Sequence, residues 1–212
     1  MLTKITLALA LALPALASCA ATGSDSAGTS GTSSGPPTPV VGKVDVASAD
    51  FQSKWWTWAG APEQVNPVSD STGEHCGEGQ PGDVWLVAGS FGGSVVRQCT
   101  IPYGLPIAGP LVNLVAPDKA DCEKFMADAD GTVSVEGSPE VVHVEAVPFE
   151  YSVQKGNPFG ERAGQKKGYG CGIWFSVAPL PAGRHQLVIK GNSGDFSVQA
   201  TYNLTVKAVG GV

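Results

Sequence analysis

The stretch that decides the fold runs from Phe51 to Asn113 and opens with Phe51-Gln-Ser-Lys-Trp55-Trp56-Thr-Trp58. It continues through Cys76-Gly-Glu-Gly-Gln80-Pro-Gly-Asp-Val-Trp85-Leu-Val-Ala-Gly89 and reaches Cys99-Thr-Ile-Pro-Tyr103-Gly104. Four of the chain's five tryptophans and two of its five cysteines lie within it. Aromatic side chains bury the most surface per residue. We therefore expect this stretch to form the centre of the core, and it could also supply a recognition surface.

The opening of this stretch predicts a short helix that Asp50 caps. Phe51, Trp55 and Trp58 recur at i, i+4 and i+7 and so share one helix face. Trp56 points about 100° away from Trp55. One interpretation is that this face is core, which the spacing favours for Trp55 and Trp58. The other is that Trp55, Trp56 and Trp58 form a platform on which sugar rings stack, and for Trp56 both interpretations stay open.

The rest of the chain predicts short strands between Gly- and Pro-rich turns. Residues 84–88 and 94–101 are expected to form a hairpin around 89–93, and residues 118–128 a second short helix. Residues 157–170 are expected to be an exposed loop, and 185–190 with 196–206 a closing hairpin around 191–194. Further strands are predicted at 107–115 (interrupted at Gly109-Pro110), 132–136, 142–147, 149–153 and 171–177. This pattern indicates an all-β fold over residues 44–212, a jelly-roll or Ig-like β-sandwich with one short N-terminal helix.

Residues 1–18 have the layout of a secretory signal peptide, with Lys4 followed by an apolar run. The segment Leu16-Ala17-Ser18-Cys19 resembles a bacterial lipobox. That resemblance implies cleavage before Cys19, diacylglycerol on its thiol and a fatty acyl group such as palmitate on the new amino terminus. An ordinary signal peptide is the alternative. Residues 19–43 are rich in Ser, Thr, Gly and Pro, so we expect a disordered tether that holds the domain on the extracytoplasmic side of a bacterial cell membrane.

The charge of the chain excludes one class of partner. The full sequence has 13 Lys and Arg against 19 Asp and Glu, and loss of Lys4 with the signal peptide changes the net charge from −6 to −7. An acidic chain of this kind does not suit nucleic acid or electrostatic docking on anionic lipid. The lipid anchor is therefore the expected membrane contact.

Four cysteines remain besides Cys19, namely Cys76, Cys99, Cys122 and Cys171. In an exported chain they predict two disulfides, and four cysteines allow three connectivities. We favour Cys76–Cys99 with Cys122–Cys171, because the first pair brackets a predicted strand and hairpin. A zinc site is disfavoured because the spacings contain no close ligand pair, and we predict no metal and no cofactor.

A set of widely spaced residues resembles a family of uncharacterised exported bacterial proteins and lipoproteins. The block reads Trp55-Trp56, Asn66-Pro67, Asp70-Ser-Thr-Gly73, Cys76, Gly79-Gln80, Val84-Trp85, Ala88-Gly89, Gly92-Gly93, Arg97 and Cys99. A closing pattern follows as Trp174, Pro179-Leu180-Pro181, Gly183, His185, Thr201-Tyr202 and Leu204-Thr205-Val206. The resemblance covers most of residues 51–206 and implies export, but it implies no reaction.

Asp70, Glu74 and His75 are the candidate catalytic residues, because a carboxylate beside an imidazole can transfer protons. The alternative is that they cap turns beside Cys76. Paired carboxylates of a glycosidase could also come from Asp70, Asp83, Glu136 and Glu145, although their spacing singles out none of them.

The sequence contains no nucleophile elbow. We therefore predict a non-enzymatic envelope module that binds a glycan or a protein. The alternatives are a carbohydrate-active or other envelope hydrolase and a purely structural envelope protein.

Overall fold

The computed structural model describes residues 43–207, which form a β-sandwich with two helices. The predicted signal peptide, Cys19 and all of the predicted tether except Lys43 lie outside these residues. The helices are α1 (Ala49–Ala59) and α2 (Lys119–Ala127), with a short 3-10 turn at Glu63–Val65. The strands are β1 (Trp85–Leu86), β2 (Gly93–Pro102), β3 (Ile107–Ala116), β4 (Asp130–Ser134), β5 (Glu140–Val153), β6 (Gly164–Val177), β7 (Gly183–Ser193) and β8 (Phe196–Lys207).

The strands form two four-stranded sheets, which confirms the predicted all-β sandwich. The first sheet has the order β1-β3-β6-β5 and the second has the order β2-β8-β7-β4. Two pairs are parallel, β1 with β3 and β2 with β8. The other pairs in both sheets are antiparallel.

The hairpin predicted for residues 84–101 is wrong. β1 belongs to the first sheet, whereas β2 belongs to the second and runs parallel to β8, with Cys99 opposite Leu204. The segment 87–92 therefore crosses from one sheet to the other. Apolar periodicity indicates that a strand exists but not which strand it pairs with, and here burial of Cys99 and Ile101 between the sheets determines the pairing.

Other boundaries also differ from the prediction, and β3 continues through Gly109-Pro110 where an interruption was predicted. β5 is continuous from Glu140 to Val153, with a bulge between Val144 and Val147 where the sequence suggested two strands. β6 begins at Gly164, so the second half of the predicted loop 157–170 is strand. The closing turn lies at Gly194-Asp195, because Ser193 pairs with Phe196.

Helix α1 is capped by Ser48 and not by Asp50. The Ser48 hydroxyl accepts a hydrogen bond from the backbone N–H of Phe51 at 3.2 Å. The helix ends at Gly60, whose N–H donates to the Trp56 carbonyl at 2.9 Å. The predicted second helix is α2, which is capped by Asp118 through the backbone N–H of Asp121.

The first sheet is covered on both faces. One face packs against the second sheet through Phe175, and the other packs against α1 through Trp174. Trp174 makes edge-to-face contacts with Phe51 and Trp55, with ring centroids 5.8 and 5.2 Å apart. Neither helix of the part that the structure describes is long and apolar enough to cross a membrane.

Both favoured disulfides are present. Cys76–Cys99 joins the loop that follows α1 to β2 in the second sheet. Cys122–Cys171 joins α2 to β6 in the first sheet. Each disulfide thus attaches a segment that lies outside the sheets to one strand of the sandwich.

Candidate ligand-binding pocket

An apolar pocket of about 330 Å³ lies beside the segment that crosses between the sheets. Its wall takes residues from both sheets, both helices and the crossing segment. We call this feature the crossover pocket. Its lining consists of Trp55, Trp56, Val68, Ala88, Gly89, Ser90, Phe91, Pro110, Leu111, Val112, Asn113, Leu114, Phe125, Phe196 and Val198. Its volume falls within the range of small-molecule sites, roughly 300–1,000 Å³.

Two exposed phenylalanines mark the outer part of the pocket wall. Phe91 is 54% exposed and Phe196 is 38% exposed, and both belong to the lining. The local sequence places Phe91 there, because Gly92 and Gly93 adopt positive φ angles of 114° and 75° that favour glycine. The Ser90 hydroxyl donates to the Gly92 carbonyl at 2.8 Å and closes this turn. Apolar side chains exposed beside an apolar pocket are typical of a binding site.

An aromatic series joins the buried part of the wall to its exposed part. The rings of Trp56 and Phe159 lie 5.8 Å apart, and those of Phe159 and Phe91 lie 6.1 Å apart. Trp56 is 7% exposed, whereas Phe159 is half-buried. Trp56 and Phe91 line the pocket, whereas Phe159 packs between them outside the lining.

Two polar nitrogens of the lining residues have no hydrogen-bond partner. They are the indole Nε1 of Trp56 and the amide Nδ2 of Asn113, both inaccessible to solvent. Trp85 and Trp174 also have unpartnered indole nitrogens, but neither residue lines the pocket. A buried donor without an acceptor is costly. Both nitrogens lack accessible surface, so they are buried within the wall and not at the surface that faces the pocket.

The wall of the pocket is held from behind by the buried side chain of Arg97, which is 1% exposed. Its guanidinium donates to the carbonyls of Val68, Ala88 and Gly89, each at 2.8 Å. All three of these residues line the pocket. Arg97 also donates to the Asp70 carbonyl at 2.7 Å. Arg97 thus fixes two segments of the pocket wall, the loop around Val68 and the segment that crosses between the sheets.

The counter-charge that a buried arginine usually has is missing around Arg97. Its partners are four backbone carbonyls and the Tyr202 hydroxyl, and it takes part in none of the ion pairs within residues 43–207. Arginine stays protonated in proteins. Buried charges are usually paired with an opposite charge. The Arg97 guanidinium is therefore held by backbone carbonyls and a hydroxyl and not by direct contact with a carboxylate.

Tyr202 completes this buried cluster from β8. Its hydroxyl accepts from Arg97 at 2.6 Å and from the Ala88 N–H at 2.9 Å, and it donates to the Ala88 carbonyl at 2.7 Å. The Tyr202 ring lies under the guanidinium, 5.3 Å from its carbon to the ring centroid. The crossing segment is thereby fixed to the second sheet next to the pocket.

The predicted tryptophan platform is corrected by the structure. Trp55, Trp56 and Trp58 are 3%, 7% and 7% exposed, so they do not present flat faces to solvent. The Trp55 and Trp58 indoles donate to the carbonyls of Val87 and Glu78 at 3.0 and 2.9 Å. They are buried because α1 packs them against the face of the first sheet that points away from the second sheet. Trp55 and Trp56 instead contribute to the wall of the crossover pocket.

The candidate catalytic residues Asp70, Glu74 and His75 lie in one turn. The Asp70 carboxylate accepts from the Thr72 N–H and hydroxyl, both at 2.8 Å, and from the His75 N–H at 2.9 Å. It meets the backbone of His75 and not its ring, and Glu74 is exposed. In this arrangement the Asp70 carboxylate closes the turn beside Cys76.

The hydrogen bonds to Asp70 affect its acidity. Partial burial by itself would raise the pKa of this carboxyl group. Donors from His75, Thr72 and Gly73 outweigh burial, and the pKa lies below its ordinary value of 3.8. Asp70 is therefore held as a carboxylate at neutral pH.

The other carboxylates considered for a glycosidase pair do not form such a pair, and two of them have separate partners. Asp83 accepts from Lys54 at 2.6 Å, and this hydrogen bond lowers the pKa of Asp83 despite partial burial. Glu136 pairs with His185 Nδ1, and the other ring nitrogen of His185 lies 2.8 Å from the Pro181 carbonyl. Glu145 is exposed on β5. Within residues 43–207 no three His, Cys, Asp or Glu side chains are grouped so as to hold a metal ion.

A second, more open groove of about 540 Å³ runs along the outer side of α1. It is lined by Asp50, Ser53, Lys54, Thr57, Trp58, Ala61, Gly79, Pro81, Leu86 and Gln154. Trp58 is the aromatic residue of this lining and is 7% exposed. The groove therefore offers little aromatic surface for sugar stacking.

The crossover pocket was not predicted from the sequence. It is assembled by segments up to 143 positions apart, from Trp55 to Val198, and no local pattern encodes it. A signal that could have pointed to it is Phe91, a large apolar residue between Ser90 and Gly92-Gly93. Such an aromatic residue in a turn of small residues has few neighbours to bury it.

The comparisons with known proteins provide no assignment for the chain. No protein-family model matches it, and no curated protein does. Among solved structures, the solution structure of Amebosin matches with 14% identity and a TM-score of 0.28, covering 54% of this chain and 96% of that chain. A likeness this weak carries no argument about fold or function. The resemblance to exported bacterial proteins therefore stays a prediction.

Proposed function

We propose that this chain is a lipoprotein anchored to the bacterial cell membrane, with a non-enzymatic binding module on the extracytoplasmic side. The module would bind a small apolar ligand. The crossover pocket is the observation that carries this proposal. Its aromatic and aliphatic lining, with Ser90 and Asn113 as the polar residues, matches the usual composition of small-molecule sites, mostly apolar with a few polar groups.

The burial of Trp55, Trp56 and Trp58 changes the kind of ligand that we propose. Sugar stacking requires an exposed aromatic face, and these three side chains are in the core. An envelope hydrolase that uses Asp70 would need that carboxylate free for substrate, whereas it accepts three hydrogen bonds within its own turn. Binding of an apolar ligand needs no such rearrangement.

The pocket can be tested with a neutral fluorescent probe. N-phenyl-1-naphthylamine becomes strongly fluorescent in apolar surroundings, and we expect saturable binding to the purified mature chain, residues 19–212, carrying Cys19→Ser, which has neither the apolar signal peptide nor acyl chains. Leu114→Trp places a larger side chain on the pocket wall and should weaken binding about tenfold or more. Leu105→Trp is the matched control, because Leu105 is also a half-buried leucine but does not line the pocket.

Two results would overturn the binding proposal. One is the absence of saturable probe binding by the Cys19→Ser chain. The other is equal binding by the Leu114→Trp and Leu105→Trp variants when circular dichroism shows both to be folded. Either result would favour the structural alternative, in which the pocket is a packing defect.

The membrane anchor is tested separately from the pocket. Mass spectrometry of the protein from bacterial membranes should show a mature chain that begins at an acylated Cys19. The same chain exported behind an ordinary cleavable signal peptide, with residues 1–19 removed, should be absent from the membrane fraction, because acyl chains provide the membrane affinity. An unmodified cysteine, or a variant that stays in the membrane, would contradict the anchor.

A further inference from the structure

We infer that the outer face of the second sheet carries a second binding site, which takes a neutral polysaccharide chain. A groove of about 400 Å³ crosses all four strands of this sheet. We call it the sheet groove, and it is lined by residues 93–94, 130–132, 190–192 and 197–199. The inference goes beyond the proposed function, because the sheet groove shares only Val198 with the crossover pocket and takes a different class of ligand.

The floor of the sheet groove is a row of glycine backbone. The strand register places four residues in one row across the sheet, namely Gly93, Val198, Gly191 and Gly131. A Cβ atom at Gly191 would collide with the Leu111 carbonyl oxygen of β3, and one at Gly131 would lie 2.7 Å from Leu111 Cβ. The missing side chains therefore let the second sheet lie directly against β3, and this close approach leaves a recess on the outer face.

The walls of the sheet groove are two rows of polar side chains that face outward. They flank the glycine row and lie about 7 Å apart, because side chains on one face of a strand recur at every second residue. One row consists of Ser94, Gln199, Lys190 and Thr132, and the other of Ser197, Asn192 and Asp130. Across four strands the groove extends for about 14 Å, which suits a short stretch of a polymer.

The polar groups of these walls are available to a ligand. The ion pairs within residues 43–207 include neither Asp130 nor Lys190. The hydrogen bond between side chains on this face joins Gln186 to Asn203, which lie outside the sheet groove. All of the wall residues are exposed except Gln199, which is half-buried. A ligand can therefore bond to them without breaking a contact that holds the fold.

The mixture of side chains in the walls fits a ligand with many hydroxyl groups. The amides of Asn192 and Gln199 and the hydroxyls of the serine and threonine residues can both donate and accept hydrogen bonds. Sugar hydroxyls have the same dual capacity. Because these groups are spread along the whole groove, they match a chain of repeating units and not a single small molecule.

The charge of the sheet groove favours a neutral polymer over the other kinds. Asp130 and Lys190 are its charged residues, and their charges cancel. A nucleic acid or another polyanion requires several Lys or Arg side chains. A protein interface usually has an apolar centre, whereas Val198, the apolar residue of this lining, is buried. A neutral polysaccharide requires neither feature.

A panel of hexasaccharides tests the inference. Cellohexaose, laminarihexaose, maltohexaose, chitohexaose and mannohexaose are titrated by isothermal titration calorimetry into the mature chain, residues 19–212, carrying Cys19→Ser. We expect saturable binding of at least one of them, with hexagalacturonate and a Gly-Ser repeat hexapeptide at least about tenfold weaker. Raising NaCl from about 50 to about 500 mM should change the affinity by less than about twofold, because a neutral ligand has no charge to screen.

Asn192→Ala is the variant that tests the sheet groove, since it removes an exposed amide and leaves the core intact. It should weaken the bound hexasaccharide by about two- to tenfold. Asn203→Ala is the matched control, because Asn203 also faces outward from this sheet but lies outside the groove, and it should bind like the parent chain. Combining Asn192→Ala with Gln199→Ala should weaken binding further, to about tenfold or more.

Four results would overturn this inference. The first is the absence of saturable binding by all of the neutral hexasaccharides, and the second is a preference for hexagalacturonate or for the peptide. The third is a loss of affinity at high salt well beyond twofold. The fourth is equal binding by the Asn192→Ala and Asn203→Ala variants when circular dichroism shows both to be folded. None of these results affects the crossover pocket, where binding of N-phenyl-1-naphthylamine is measured separately.

Discussion

Strands β6 and β8 lie at the centres of the two sheets but have different burial patterns. In β6 every residue from Gly170 to Val177 is buried. In β8 the residues from Val198 to Val206 alternate, so that Leu204 is buried and Thr205 is exposed. The difference arises because α1 covers the outer face of the first sheet, whereas the outer face of the second sheet meets solvent. A continuous apolar run therefore indicates a covered sheet, and strict alternation indicates a sheet with one free face.

The largest expected effect comes from the two neighbouring large residues of β6. Trp174 and Phe175 are both completely buried and point to opposite faces, so each should be costly to truncate. We expect Trp174→Ala and Phe175→Ala each to lower the free energy of unfolding by about 3–5 kcal/mol. Urea denaturation followed by circular dichroism measures both values.

The matched pair on β8 should behave differently. Leu204→Ala should cost about 2–5 kcal/mol. The exposed Thr205→Ala should change stability by less than about 0.5 kcal/mol. The proposed difference between the two strands would be contradicted if only one substitution on β6 lowered stability. It would also be contradicted if both substitutions on β8 lowered stability.

The next largest effect concerns the second helix. Cys122–Cys171 joins α2 to β6 and spans 49 positions of sequence. Replacing both cysteines by alanine should lower stability by about 2–4 kcal/mol, because the unfolded chain regains the freedom of that loop. The same denaturation assay measures the loss.

Addition of reductant provides the control for the disulfide. Reductant should destabilise the double variant less than the wild-type protein, since only Cys76–Cys99 remains to be reduced. Equal losses in the two proteins would show that Cys122–Cys171 does not stabilise the fold.

The parts of the fold that were predicted correctly depend on local patterns. The helix face of Phe51, Trp55 and Trp58 follows from helical spacing, and the closing hairpin follows from two alternating runs around a glycine turn. Both favoured disulfides are present. For the helix and the closing hairpin, one window of sequence contains the information that the structure uses. The disulfides differ, because their cysteines lie 23 and 49 positions apart and the hairpin that favoured Cys76–Cys99 does not form.

The parts that could not be predicted depend on distant pairings. β2 pairs with β8 over a separation of about a hundred residues, and neither strand carries a signal for its partner. The adjacent strands β1 and β2 therefore resembled a hairpin. The crossover pocket has the same origin, because Trp56, Asn113 and Val198 meet only after both sheets have formed.

A smaller effect is expected at the junction between the second sheet and the crossing segment. Tyr202→Phe removes a hydroxyl that bonds Arg97 and both backbone groups of Ala88. The buried N–H of Ala88 loses its partner, so we expect a loss of about 1–3 kcal/mol in the free energy of unfolding. Tyr103→Phe, at an exposed position, should change stability by less than about 0.5 kcal/mol. A loss at Tyr202 no larger than that at Tyr103 would contradict the role of the buried cluster.

The smallest predicted effect concerns strand β2, the edge of the second sheet, which the turn containing Asp70 contacts. The Thr72 carbonyl accepts from the Gln98 N–H of β2 at 2.8 Å, and Asp70 holds this turn in shape. Since folding lowers the pKa of Asp70, its contribution to stability is complete above the ordinary value of 3.8. That contribution is lost as the pH falls through the lower pKa of the folded state. The stability advantage of the wild-type protein over Asp70→Asn should therefore shrink as the pH falls below 3.8, and Thr72→Val, which removes one donor, should reduce that pH dependence. If urea denaturation gives the same difference at acidic and neutral pH, the carboxylate is not what holds the turn against the sheet edge.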